Sequence, residues 1–242
     1  FIIVDGIITD ELKAHEIKLS FPVDKLNKPS EPVTGAIVII SNEDLVYQLN
    51  EHPIGSGTYI TDSIFIALLN KHYTIQIFYN NNIYTAKTTM FPGNTFSPLR
   101  YSKNSSDDLY HIDWVANAFN TETYAKYEVL LDWSDVTGYQ NLNPDSCKAK
   151  LYYYSLPTLD VSEVLAPGKQ KISFPVGTII TEKRYSLSPE HAAFYRALLL
   201  EANWQGGLFD SEHSNLPTNL TAGAIGFFGA CSVTSLSLTV TE

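Results

Sequence analysis

Hydrophobic positions along this chain alternate with polar ones far more often than they recur at helical spacing. In His15–Val23 (HEIKLSFPV), Ile17, Leu19 and Phe21 fall on one side and Glu16, Lys18 and Ser20 on the other, the period of a half-buried strand. His72–Asn80 (HYTIQIFYN) alternates as cleanly, and the asparagines at 81 and 82 predict a hairpin turn into IYTAKTTM. Phe1–Ile8, Val33–Ser41 (VTGAIVIIS) and LVYQL at 45–49 read as further strands, and PIGSGTYIT is a glycine turn feeding Tyr59. Short strands separated by turn formers predict a β-sandwich of about seven strands over residues 1–92.

From Phe91 to Ser106 the chain is rich in Pro, Gly, Asn and Ser, which predicts a linker at 93–106. The expected second module, 107–242, is again β-rich. LYHIDWVANAF and YAKYEVLLDW read as two paired strands, followed by KAKLYYYSL, KISFPVGTII and EKRYSLS, and Val233 to Val240 closes the module as a last strand. One helix interrupts it, at about 188–204. Ser188 can cap, Pro189 suits the first helical position, Glu190 complements the dipole, and Gly206-Gly207 is the stop. The fold class is therefore mainly β: an N-terminal sandwich plus a second antiparallel β-module carrying one α-helix.

Composition supports this and narrows the partners. Tyr, Phe and Trp number 15, 12 and 3, and aromatic residues favour strands. The net charge of −10 repels phosphate backbones, so nucleic acid is not an expected partner. Cys147 and Cys231 permit one disulfide or two buried thiols. There is no apolar run long enough for a membrane-spanning helix. The chain opens directly on a strand, FIIVDGIIT, so we expect that a targeting segment has been removed ahead of it.

No motif for catalysis emerges. The six histidines form no HExxH or HxH pair, GxSxG is absent, and Gly55-Ser56-Gly57 sits between strands as a turn. Asp210, Glu212 and His213 are three potential metal ligands in four residues, but they also fit an exposed polar loop. Asp132, Asp135, Asn141, Asn143 and Asp145 offer oxygen ligands without EF-hand spacing, and a solvated turn region explains them as well. We expect no catalytic residue, no metal and no cofactor. Binding is a better expectation, and exposed aromatics are its usual anchors. Consecutive Tyr152, Tyr153 and Tyr154 must face both sides of a strand, and Trp204 and Phe209 flank the glycines after the helix. Tyr153, Trp204 and Phe209 are the candidate contacts, against the alternative that they close the core. Asp62-Ser63-Ile64 fits a short acceptor pattern for bacterial O-glycosylation, a match short enough to arise by chance.

Several stretches in combination resemble one family. FIIVDGIITDE is similar to its opening strand, and PVTGAIVIIS, GTYIT and YTIQI resemble a transthyretin-like sandwich module. The most specific part is SLSPEHAAFYRALLLEANWQGGLFDSEHSNLPTNL followed by AIGFFGACSV, with Gly207–Asp210, Pro217–Asn219 and Gly226–Val233 at the family's characteristic positions. The chain thus resembles an uncharacterised family of Bacteroidetes outer-membrane lipoproteins, of the domain-of-unknown-function 4249 type. That resemblance implies export, a lipidated N-terminal Cys outside this chain as the only membrane attachment, exposure on the cell surface, and a partner TonB-dependent receptor. It carries over no catalytic residue. The expected function is accessory binding in nutrient capture, of a small molecule, glycan or peptide; the alternative is a stand-alone adhesion or structural surface protein.

Overall fold

In this computed structural model, Asn80 and Asn81 take left-handed backbone, with φ of 47° and 61°. That is the geometry of a tight hairpin turn, and asparagine tolerates it better than most residues. It folds β6 (His72–Tyr79) onto β7 (Asn82–Thr89), with Tyr79 opposite Asn82. Residues 1–23, 28–117, 119–120, 122–158, 172–203 and 216–242 are described. They divide into two units, one of Phe1–Pro92 with Leu187–Ser232, the other of Gly93–Ser186 with Val233–Glu242.

The first unit holds β1 (Ile2–Thr9), β2 (Glu16–Ser20), β3 (Ile37–Ser41), β4 (Val46–Glu51), β5 (Thr58–Thr61), β6, β7 and β13 (Ala224–Cys231). They form a single eight-stranded sheet in the order β13-β1-β2-β5-β4-β3-β6-β7. The alternation of β2 and β6 sends Ile17, Leu19, Ile75 and Ile77 inward, where they meet Val38, Ile40 and Phe228 in one core. The two end strands are joined by residues 218–221. Leu220 bridges Ala86, and the Thr221 amide donates to the Thr85 carbonyl at 2.9 Å.

The expected split at 93–106 and the contiguous second module need correction. The chain does change unit at Pro92/Gly93, but residues 93–106 are part of the second unit, and residues 187–232 return to the first. The reason lies in β13. Its burial is nearly continuous, and a strand apolar on both faces needs a cover on each. It pairs in parallel with β1 from Ile2↔Ala224 to Thr9↔Cys231. Helix α1 (Pro189–Asn203) supplies the cover: the rings of His191 and Phe194 stack on Phe227 at 4.4 and 5.4 Å. Gly226 permits the pairing, because its φ is 101° and a Cβ there would strike the Val4 carbonyl. The expected helix start is correct: the Ser188 hydroxyl accepts from the His191 amide at 3.1 Å. Its glycine stop lies outside the described residues.

In the second unit, the expected pairing of 109–119 with 124–133 does not form. β9 (Tyr110–Trp114) pairs with β8 (Arg100–Lys103), inside the expected linker. β10 (Tyr124–Asp132) pairs instead with β11 (Lys148–Ser155) in a four-stranded sheet of order β11-β10-β12-β14, with β12 spanning Ile179–Leu187 and β14 Val233–Thr239. Val129, Leu131, Phe174 and Ile180 fill its core. Cys147 in this unit and Cys231 in the first are both buried thiols, not joined in a disulfide.

Candidate functional site

After β5 the chain runs through Asp62-Ser63-Ile64-Phe65-Ile66-Ala67-Leu68-Leu69. The ends of this stretch are held by the Asp62 amide, which donates to the Gln48 carbonyl at 3.1 Å, and by the Leu68 amide, which donates to the Tyr73 hydroxyl at 2.7 Å. The amides of Phe65 and Ala67 donate to the carbonyls of Lys13 and Thr9 at 3.1 and 3.0 Å. Phe65 and Ala67 point inward and are buried, and Phe65 stacks on Tyr47 at 3.9 Å. Period-two geometry therefore turns the intervening residues outward. Ile64, Ile66, Leu68 and Leu69 are 61%, 45%, 53% and 48% exposed, and Leu12 on the neighbouring loop is exposed beside them.

Buried His15 holds this segment. Its Nε2 lies 3.0 Å from the Phe65 carbonyl oxygen, its Nδ1 faces the Thr9 amide at 3.4 Å, and its own amide donates to the Thr61 hydroxyl at 3.0 Å. Nδ1 is thus the acceptor and Nε2 the donor, which is the neutral ring. Burial pushes the imidazole below its ordinary pKa, more than the Phe65 bond and Glu11 raise it. Ser63 of the glycosylation-like tripeptide is exposed beside this segment, its hydroxyl 3.3 Å from the Asp62 carboxylate. Sequence patterning did not single this segment out, since a run of apolar residues reads equally as buried. Only the alternate burial of Phe65 and Ala67 reveals the exposed face.

In the second unit, Tyr153 packs half-buried against the core, opposite Tyr127, and the exposed tyrosine of the triplet is Tyr152. Tyr152 shares the outer sheet face with Lys126 and Lys150, whose ammonium groups lie 4.8 and 5.3 Å from its ring centroid. Lys126 also lies 5.5 Å from the Tyr185 ring, and Lys150 pairs with Glu128 at 2.9 Å. This face concentrates lysine and tyrosine in an otherwise acidic chain. Trp204 and Phe209, and the cluster of Asp210, Glu212 and His213, lie outside the described residues. In the 132–145 loop, Asp132 accepts from the Ser134 amide and hydroxyl at 3.0 and 2.6 Å, which holds its carboxyl below the usual range. Asn143 caps the Asp145 amide at 3.0 Å. Both oxygens thus serve turns. Among the described residues, no three His, Cys, Asp or Glu side chains are grouped to hold a metal ion.

Two buried polar pairs stand apart from these surfaces. In the first unit, His191 Nδ1 lies 3.8 Å from the Cys231 sulfur, with the ring layered between Tyr195 and Phe227. Both residues are buried, so no substrate reaches this thiol and base. In the second unit, inward-facing Glu182 and Arg184 are 2% and 3% exposed, and Glu182 accepts from the Leu99 amide at 3.1 Å. Burial raises the Glu182 carboxyl to about 7. An open cleft of about 630 Å³ in the same unit is lined by Tyr101, Lys103, Tyr110, Thr241 and Glu242. Among the described residues, no helix is long and apolar enough to cross a membrane.

Comparison with curated proteins finds no match. Among solved structures, the chain is similar to the crystal structure of a DUF4785 family protein from Legionella pneumophila, at 14% identity and a TM-score of 0.21, covering 76% of this chain. This chain spans 52% of that one, and a likeness of this degree carries no argument. The model of the DUF4249 family, described as a domain of unknown function, matches residues 1–237, and the chain belongs to that family.

Proposed function

We propose that this chain is the binding module of a cell-surface lipoprotein, working with a TonB-dependent outer-membrane transporter in nutrient capture. The observation that carries the reading is the exposed aliphatic run of Ile64, Ile66, Leu68 and Leu69. Contiguous exposed apolar residues on a well-held frame mark a protein contact, whereas a small-ligand site needs a concave pocket with convergent polar groups. The open cleft of the second unit has less of that character. Membership of the DUF4249 family is compatible with this reading; the transporter, the lipid anchor and the bacterial setting are what the resemblance in sequence implies. The reading assigns the chain a contact role and no chemical step.

The test is affinity purification of the full-length lipidated protein from its native outer membrane in mild detergent, with mass spectrometry of the eluate. A stoichiometric TonB-dependent receptor is the expected result. A reproducibly clean eluate overturns the reading and favours stand-alone adhesion.

A further inference from the structure

We propose that Ile64–Ile66 is an open sheet edge that receives an extended strand of a partner protein through main-chain pairing. The inference rests on the partner-binding reading and names how the contact is made.

In an extended chain, the N–H and C=O groups of successive residues point to opposite edges. Here Phe65 and Ala67 direct theirs inward, to Lys13, Thr9 and His15. Ile64 and Ile66 direct theirs outward, and among the described residues neither their amides nor their carbonyls have a hydrogen-bond partner. The outward ladder is therefore vacant at Ile64 and Ile66, between the Asp62 amide, which donates to the Gln48 carbonyl at 3.1 Å, and the Leu68 amide, which donates to the Tyr73 hydroxyl at 2.7 Å, while the inward one is pinned. Sheet edges in monomeric proteins are commonly guarded by an inward charge, a proline or a bulge. Residues 64–69 (IFIALL) contain no charge and no proline, and three apolar side chains, Ile64, Ile66 and Leu68, stand on the solvent face of this edge. An incoming strand gains main-chain bonds to Ile64 and Ile66 and apolar contact along that face, which is the recognition mode of strand addition.

The chemistry of the occupant follows from what flanks the edge. Lys13 is paired with Glu11 at 2.6 Å, and Lys71 with Glu43 and Asp44 at 3.2 and 3.3 Å. Lys71 offsets one of its two carboxylates, so negative charge remains at exposed Asp62 and beside Lys71. The matching partner is an extended segment with apolar residues at alternate positions and a lysine or arginine at the end that faces Asp62. A second copy of this chain is a poor occupant, because each copy carries a net charge of −10.

The discriminating variant is Ile66→Pro. It removes the outward donor and blocks pairing, yet the lost amide makes no bond among the described residues, and the residue before it is already extended. Full-length lipidated wild type, Ile66→Pro and Ile66→Val are purified from the native outer membrane, with melting temperature as the check on folding. The expected result is that Ile66→Val retains the receptor and Ile66→Pro loses it at least about tenfold with melting unchanged. Equal retention by wild type and Ile66→Pro overturns the edge and leaves the partner reading intact. If the wild type captures no receptor, the partner reading falls, and the edge is judged by a defined probe: a nine-residue peptide of alternating valine and threonine with lysine at both ends. Slowed hydrogen exchange of the Ile64 and Ile66 amides by this peptide, absent when its alternate amides are methylated, supports the edge; no change in exchange overturns it. Should Ile66→Pro unfold the protein, the same peptide experiment on wild type decides. A dimer in sedimentation with protected Ile64 and Ile66 amides overturns the heterologous partner in favour of a second copy.

Discussion

The imidazole of His15 and the main chain of Phe65 form one unit: Nε2 meets the carbonyl oxygen at 3.0 Å while the two rings lie 4.4 Å apart. The Nδ1 lone pair faces the Thr9 amide, so a second ring proton would oppose an N–H donor. Burial places the folded pKa below the ordinary 6.5. Below pH 6.5 the unfolded chain takes up a proton that the folded chain resists, so stability contributed by the neutral ring is lost as pH falls through that range. We expect the protection factors of the Phe65 and Ala67 amides, with exchange corrected for the intrinsic rate at each pH, to fall on acidification from pH 7.5 to 5. His15→Gln keeps a donor and an acceptor without titrating. It should cost about 1–2 kcal/mol at pH 7.5 and remove the acid-dependent part, as read by denaturant unfolding across pH.

Asn219 closes the first unit's sheet. Its amide nitrogen donates to the carbonyls of Lys87 and Phe228 at 3.1 and 2.8 Å, and its oxygen accepts from the Phe228 amide at 3.1 Å. One side chain thus ties β13 to β7. Asn219→Ala leaves these main-chain groups unpaired and should destabilise the protein by about 2–4 kcal/mol. Asn219→Asp should be worse at neutral pH, because it sets a carboxylate against two carbonyl oxygens. Thermal unfolding ranks the three proteins, and equal melting of the Ala and Asp variants would contradict this account.

Local signals were legible in the sequence where one short stretch decides the outcome. The Asn80-Asn81 turn, the alternation of β2 and β6 and the Ser188 cap each depend on residues within a few positions, and each forms nearly as the pattern predicts. The parallel pairing of β1 with β13 joins Ile2 to Ala224, and no local pattern encodes which distant strand supplies the partner. Residues 224–231 therefore looked like the end of the second module rather than the edge of the first. Which tyrosine of the triplet is exposed was not legible for a different reason. Tyr152 and Tyr153 differ by one position, and their opposite exposure depends on which sheet face meets the core.

Gly229 illustrates a constraint that only packing reveals. A Cβ at this position would lie 2.5 and 2.7 Å from Cε1 and Nδ1 of His191. The ring cannot retreat easily, because Phe227 and Tyr195 stack on it at 4.4 and 4.8 Å. Gly229→Ala should therefore cost about 1–3 kcal/mol through overpacking between α1 and β13. In a His191→Ala background the same substitution should cost much less, and a double-mutant cycle in denaturant measures the difference. An undiminished cost in that background would place the strain elsewhere.

Glu182 sets a pH dependence of opposite sign to that of His15. Its carboxyl is buried beside the Leu99 amide, and its Oε1 finds no hydrogen-bond partner among the described residues. Burial raises the folded pKa to about 7 from an ordinary 4.5. Below pH 4.5 the group is protonated in both states and carries no penalty. Between 4.5 and 7 the unfolded chain ionises first, so stability falls as pH rises through that window, by about 3 kcal/mol in all. Glu182→Gln keeps an acceptor for Leu99 and cannot ionise. The variant should match wild type near pH 4.5 and exceed it progressively up to pH 8, as read by unfolding at each pH. Because Arg184 on the same inward face is also buried with Nη1 unpartnered among the described residues, the gain is expected to fall short of the full 3 kcal/mol by whatever attraction the ionised pair retains. A variant less stable than wild type at pH 8 would mean that this attraction outweighs the burial of the carboxylate.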